Sequence, residues 1–202
     1  SEMCIRDSTE GVFESFRDST GITIEVLTSG DVGSLVSQTI LSEGNPVGDV
    51  IIGADNTFMQ RLLNSEALET YESPELTHVP DGFELDSSHR LTPLDYGYVI
   101  VNYLIDALEA PAPASLMDLA KSDYKGSLVV QNPETSSPGL AFLLATIAGT
   151  PDWEKFWIEL RANDVAVTSG WEEAYYGDFI AGGGERPMVV SYASSPVAEV
   201  IY

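Results

Sequence analysis

A chain of 202 residues with 44% hydrophobic content carries enough apolar material for one large domain or two small lobes. Its 9 Lys and Arg against 32 Asp and Glu, a net charge of −23, leave no basic surface to track phosphates and exclude nucleic acid as a partner. A single cysteine, Cys4, excludes a disulfide framework or a multi-cysteine metal site, and no run approaches the roughly 20 apolar residues of a membrane span.

The opening Ser1–Ser8 matches nothing that follows and reads as a translated sequencing-adapter scar, set aside from the fold. Any native start and signal segment would then lie upstream. From Gly21 to Leu27, apolar and polar residues alternate around β-branched positions, which predicts a strand. Val32, Leu35, Val36, Ile40 and Leu41 then recur at helical spacing after the turn Thr28–Asp31. Asp49–Gly53 is a short unalternated apolar run, the pattern of a buried parallel strand. Ala54–Thr57 turns it into a helical pattern through Phe58, Leu62 and Leu63.

Residues 70–92 are polar, turn-rich and hold both histidines, His78 and His89. From Leu91 to Tyr103 the chain reads as extended and aromatic, and after a stretch rich in Ala and Pro, Ser115–Asp118 has the form of a capping-box helix start. Gly126–Gln131 is the next predicted strand, and Pro138 opens an apolar helix. A second helix carries Trp153, Phe156, Trp157 and Leu160. A strand over 164–168, a helix from Trp171, a strand over 187–192 and a helix start at Ser195–Pro196 complete the order. The last residues, Glu199–Tyr202, stop inside an apolar pattern without a cap, as in a chain truncated at that end too.

Strand and helix alternate almost throughout, the signature of an α/β fold with mostly parallel sheets. The crossing at 91–103 divides two such sets. The predicted layout is therefore a scar over 1–8, part of a first α/β lobe over 9–93, a second lobe over 94–190, and a return crossover over 191–202.

Ligands of open α/β sheets bind beyond the carboxyl ends of the strands. Five junctions at such ends carry short polar or aromatic residues: 28–31, 54–57, 132–139, 168–171 and 191–196. Ser136-Ser137-Pro138 and Ser194-Ser195-Pro196 share one device, a serine N-cap with proline at the first helical position. Such a turn points N–H groups and a hydroxyl outward, an anion cradle. Any one such turn is more often an ordinary cap, but the junctions would converge on one edge. Trp171 and Tyr192 add faces suited to a flat or cationic ring. Asp31 and Asp55 are helix caps or partners of a ligand amine or cation, and both readings stay open.

Catalysis finds little support. His78 and His89 sit among turn residues with no nucleophile motif nearby, and there is no Gly-x-Ser-x-Gly elbow, phosphate-binding glycine loop or His-Glu-x-x-His. Ser122-Asp123-Tyr124-Lys125 fits Ser-x-x-Lys only in isolation, and Gly182–Gly184 reads as a turn. No catalytic residue, metal ligand or cofactor is assigned, and a hydrolase or transferase would lack a recognisable catalytic set.

Leu94-Asp95-Tyr96-Gly97-Tyr98, Gln131-Asn132-Pro133-x-Thr135-Ser136-Ser137-Pro138-Gly139-Leu140, Gly170-Trp171-x-Glu173-Ala174-Tyr175 and Ser191-Tyr192-x-x-Ser195-Pro196 occur in this order. In these motifs, and in Gly53-Ala54-Asp55-Asn56, the chain resembles the thiamine-binding periplasmic proteins, the substrate-binding subunits of thiamine ABC importers. The resemblance runs from about Gly11 to the last residue. It implies a type II periplasmic-binding fold, two α/β lobes around a cleft that closes like a hinged jaw, incomplete in a chain of this length. The implied ligand is thiamine or a thiamine phosphate, carried as cargo, and the implied partner is an importer's membrane permease. The implied protein is a monomer in the periplasm or another extracytoplasmic space, with a lipid anchor left open.

By the same resemblance, Asp31 and Asp55 would line the first lobe's side. Ser136 and Ser137 would bond the hydroxyl or phosphate end. Tyr96 falls in the first shared motif and joins the expected ligand set. Trp171 and Tyr192 would flank the rings, with Ser194 and Ser195 completing the polar wall. Ala198 stands where relatives often carry an aromatic residue. Ferric-iron-binding proteins of the same fold are the nearest alternative, for which Tyr175-Tyr176 could serve as a ligand pair. Adjacent residues on a helix, however, project about 100° apart, poor for joint ligation.

Overall fold

The computed structural model describes the backbone of residues 2–201, with the side chains of these residues except 2–10, 180, 200 and 201. Ser1 and Tyr202, the outermost residues of the expected scar and of the uncapped end, lie outside the described residues, as do the side chains of the rest of the scar. The chain forms two compact units, one ending at Glu69 and the other starting at Thr70. None of the described helices is long and apolar enough to cross a membrane.

The first unit contains α1 (Glu2–Thr20), α2 (Val32–Leu41) and the short α3 (Met59–Leu63). Asp31 caps α2 by accepting from the Val32 N–H at 2.9 Å. Val36, Phe58 and Leu62 are its fully buried side chains, and the Arg61 guanidinium lies 5.7 Å from the centre of the Phe58 ring. The two strands expected over 21–27 and 49–53 are not formed among the described residues. Ile22, Ile24, Val26, Leu27, Val50 and Ile52 are exposed instead. Their alternation and β-branching supply the propensity, but a strand exists only through the ladder of a neighbour.

The second unit begins with loops and a 3₁₀ turn over Pro74–His78. Asp86 organises this segment, accepting from the Ser88 hydroxyl and from the N–H groups of Ser88, Arg90 and Leu91. Burial is the largest single influence on its carboxyl and pushes the pKa up, but the four donors together outweigh it and hold the group at about 2. A folded-state pKa below the unfolded one gives stability that is present above about pH 4 and is lost as pH falls through the folded value. Urea denaturation of Asp86→Ala beside the unaltered chain should therefore show a difference that holds at pH 5 and shrinks towards pH 2. An unchanging difference would contradict this account. The histidines pair with neighbouring carboxylates, His78 with Glu75 at 3.1 Å and His89 with Glu84 at 2.9 Å.

A mixed four-stranded sheet follows, built from β1 (Val99–Tyr103), β2 (Leu128–Gln131), β3 (Ala166–Thr168) and β4 (Met188–Tyr192) in the order β1-β4-β2-β3. β2 runs parallel to both β3 and β4, and β1 runs antiparallel to β4. The expected helix at Ser115 is a 3₁₀ turn over Leu116–Ala120, although its capping box forms, with the Asp118 carboxylate accepting from the Ala114 and Ser115 N–H groups.

Alternation along the central strands divides the core between two faces. Leu128, Val130, Met188 and Val190 pack with Leu119, Tyr124, Phe142, Phe156 and Leu160. The last three of these belong to α4 (Ser137–Gly149) and α5 (Trp153–Ala162). On the opposite face, Val129 and Val189 pack with Ala174, Tyr175 and Phe179, and Trp171 lies against this cluster. Trp171 belongs to α6 (Trp171–Glu173), Ala174 and Tyr175 to the π-turn over Ala174–Asp178 that extends it, and Phe179 directly follows that turn. The result is a three-layer α/β unit, closed by α7 (Ser195–Ile201) after β4.

Candidate functional site

Because β2, β3 and β4 are parallel, they end at one edge of the sheet, at Gln131, Thr168 and Tyr192. β1 runs the other way and so begins there, with Val99 opposite Tyr192. Three of the five predicted junctions thus meet at one edge, where backbone bonds join two of them to each other and the third to the segment before β1. Asn132 N–H donates to Thr168 O at 2.8 Å, and Ala193 N–H to Tyr98 O at 2.9 Å. The Thr135 hydroxyl donates to Ser169 O. The other two junctions lie in the first unit.

The first feature of this edge is the head of α4. Leu140 N–H donates to Ser136 O at 2.9 Å, so the helix begins at Ser137 and Ser136 is its N-cap. The serine–proline device is therefore shifted by one residue from the sequence expectation, with Pro138 in the second helical position. Ser136 is 0% exposed, yet its hydroxyl neither caps the helix nor meets any partner among the described residues. An unmatched buried hydroxyl costs about 1–3 kcal/mol, which a ligand acceptor would recover. It sits where the first turn of a 13-residue helix leaves N–H groups without intrahelical acceptors.

Gly139 explains how close this head comes to the sheet. A Cβ there would lie 2.4 Å from Gln131 O. Gly139→Ala should therefore shift the helix head and cost about 1–3 kcal/mol of stability in urea denaturation. A neutral result would show that the approach is looser than described.

The second feature is aromatic. Trp171 stacks on Tyr175 with ring centres 4.9 Å apart and planes 19° apart. Tyr176 meets it edge-on at 5.5 Å and Tyr192 lies tilted at 6.3 Å. The indole N–H donates to the Ser191 hydroxyl at 2.7 Å, and that hydroxyl lies 2.8 Å from the Ser195 hydroxyl. Burial, followed by the charge of Glu199 and the neighbouring Tyr176, pushes the Tyr175 phenol up to about 12, so it stays protonated at neutral pH. The Ser169 hydroxyl and N–H both donate to the Glu173 carboxylate and hold it below its ordinary range.

Ser136, Ser137, Trp171, Tyr192, Ser194 and Ser195 all belong to this edge. Ser137 and Ser195 are buried, whereas Ser194 is exposed and its carbonyl accepts from the Val197 and Ala198 N–H groups. Tyr96 lies just before β1, exposed, with its ring 4.6 Å from Phe83. Asp31 and Asp55 lie in the first unit. Asp55 accepts from the Thr57 N–H and hydroxyl and the Phe58 N–H, so each aspartate caps the turn that follows it. Ser191 was not among the residues expected from sequence, although a serine in the buried run Met188–Tyr192 marks a polar group aimed into the fold.

The family profile of bacterial extracellular solute-binding proteins matches residues 45–200. The thiamine-binding periplasmic protein of Salmonella typhimurium is 32% identical over 193 residues, covering 94% of this chain and 57% of that protein. Its Escherichia coli counterpart is 31% identical over the same span. A solved periplasmic thiamin-binding protein superposes with a TM-score of 0.79 at 30% identity, over 94% of this chain and 58% of that one. The apo ferric ion-binding protein A of Pasteurella haemolytica superposes at 0.70 with 20% identity, over 96% of this chain and 60% of that one, a likeness of fold. The chain spans a little over half the length of these relatives. Its mixed sheet with helices on both faces is that of the type II periplasmic-binding proteins, and the chain belongs to the bacterial extracellular solute-binding protein family.

Proposed function

We propose that this chain is part of an extracytoplasmic binding protein that captures thiamine or a thiamine phosphate for delivery to the permease of an ABC importer. One observation carries the proposal: a single sheet edge joins a buried hydroxyl without a partner among the described residues, at a helix head, to an indole face braced by a hydroxyl pair. Thiamine has matching parts, a cationic thiazolium and a flat aminopyrimidine for the aromatic face, and a hydroxyl or phosphate tail for the helix head. The names of the relatives at 30–32% identity support the same ligand. Ser136, Ser137, Trp171 and Tyr192 are the contacts we assign, with Tyr96 and Ser194 at the exposed rim.

The role is capture rather than catalysis. Ser191 bonds to the indole and to Ser195, and among the described residues no base is paired with either hydroxyl to activate it as a nucleophile. Ferric iron is the weaker reading. Burial keeps Tyr175 protonated, which disfavours the phenolate that iron requires, and the Tyr175 and Tyr176 rings stand at 81° to each other. Melting the chain with thiamine, thiamine monophosphate and thiamine pyrophosphate tests the proposal. Ligand at 100 times its Kd should add about 2.7 kcal/mol of stability. No shift with any of the three would sink it.

A further inference from the structure

We propose that Ser191 is a positioning residue that locks the Trp171 indole in place within its stacking plane, an inference that rests on the binding role proposed above. Ser191 lies on the same face of β4 as Val189, the face against which Trp171 packs. It is 0% exposed, and its hydroxyl has two partners, the Trp171 Nε1 at 2.7 Å and the Ser195 hydroxyl at 2.8 Å.

Donor counting gives this chain a direction. An indole N–H only donates, so Ser191 accepts there. Its own hydrogen is buried and has the Ser195 oxygen as its acceptor, so the order is Trp171 to Ser191 to Ser195. Stacking on Tyr175 sets the indole's distance from the cluster but lets the ring slide and turn within its plane. The bond to Ser191 removes that freedom, because it anchors the one polar atom of the ring to a central strand. A ligand ring meeting Trp171 then meets a face already in place, and the ordering cost is not taken from its affinity. Ser195, at the first position of α7, takes up the Ser191 hydrogen, while the bond to the indole is made by Ser191 alone.

The test uses the 202-residue chain and reads Trp171 alone, as the fluorescence difference between each protein and its Trp171→Phe counterpart. In the unliganded Ser191→Ala chain, the Trp171 component should gain accessibility to acrylamide and lose anisotropy. Thiamine affinity should fall about fivefold to tenfold, the size of one lost hydrogen bond. Ser191→Cys, which keeps the volume but offers a weak acceptor, should change both in the same direction and by less. Ser195→Ala leaves the indole its acceptor and should leave the Trp171 component near that of the unaltered chain. An unchanged Trp171 component in both Ser191 variants overturns the proposal, as does weaker binding without such a change. If the unaltered chain shows no affinity for thiamine, the binding role fails, while the unliganded Trp171 component still decides whether Ser191 positions the ring.

Discussion

Trp171→Ala should remove the quenching of tryptophan fluorescence expected when thiamine binds the unaltered chain, and should weaken that binding about 30- to 100-fold. The magnitude is that of a central aromatic anchor, about 2–3 kcal/mol on truncation. Two effects add here, the lost stacking face and the lost attraction of a cationic thiazolium to an indole. The fluorescence is specific to this residue because the other tryptophans belong to α5, on the opposite face of the sheet. Trp157 packs edge-on to Phe142 and Phe156, and its N–H donates to the Thr146 hydroxyl at 2.9 Å. The fold should tolerate the change, since Trp171 is only partly buried and Tyr175 and Phe179 still cover Val129 and Val189. Quenching that persists in Trp171→Ala would mean that the ring does not face the ligand.

Ser136→Ala should move stability and affinity in opposite directions. The buried hydroxyl has no partner among the described residues, so its removal relieves a desolvation cost without breaking a bond. The unliganded chain should therefore be unchanged or more stable by up to about 1 kcal/mol in urea denaturation. Binding of thiamine monophosphate should weaken at least tenfold, because a charge-assisted hydrogen bond at the helix head is lost. Thiamine itself, with a neutral tail, should lose less. This trade of stability for function is expected where a polar group is held ready for a ligand. A stability loss above 1 kcal/mol would show instead that Ser136 serves the fold.

Much of this edge was legible in sequence, and the reason is local. β2 and β4 are short β-branched runs bounded by glycine, proline and serine, so their ends, and the turns that follow, could be placed from residue type alone. The unalternated run at 128–131 also carried its burial on both faces. Three things were not legible. The segments 21–27 and 49–53 have strand composition, but pairing depends on partners distant in sequence, and neither is paired here. The helix at Trp171 gives way within one turn to a π-turn, closed by Phe179 N–H donating to Ala174 O, and no spacing rule announces that irregularity. Finally, the role of Ser191 depends on an indole 20 positions away meeting its hydroxyl, which only the packing of α6 on the sheet reveals.

Asp31 and Asp55 show the same limit from the other side. By residue type each fits either a cap or a ligand contact, and sequence alone does not separate the two. Their carboxylates now have local donors, Val32 for one and Thr57 and Phe58 for the other. That is sufficient reason for an aspartate at each position.

The central claim is that the edge formed by β2, β3 and β4 takes thiamine or its phosphates, and calorimetric titration tests it most directly. Titrating the chain with thiamine, thiamine monophosphate and, separately, Fe³⁺ should give saturable one-to-one heat for the thiamine compounds and none for iron. Saturable heat from iron, with none from any thiamine form, would contradict the account.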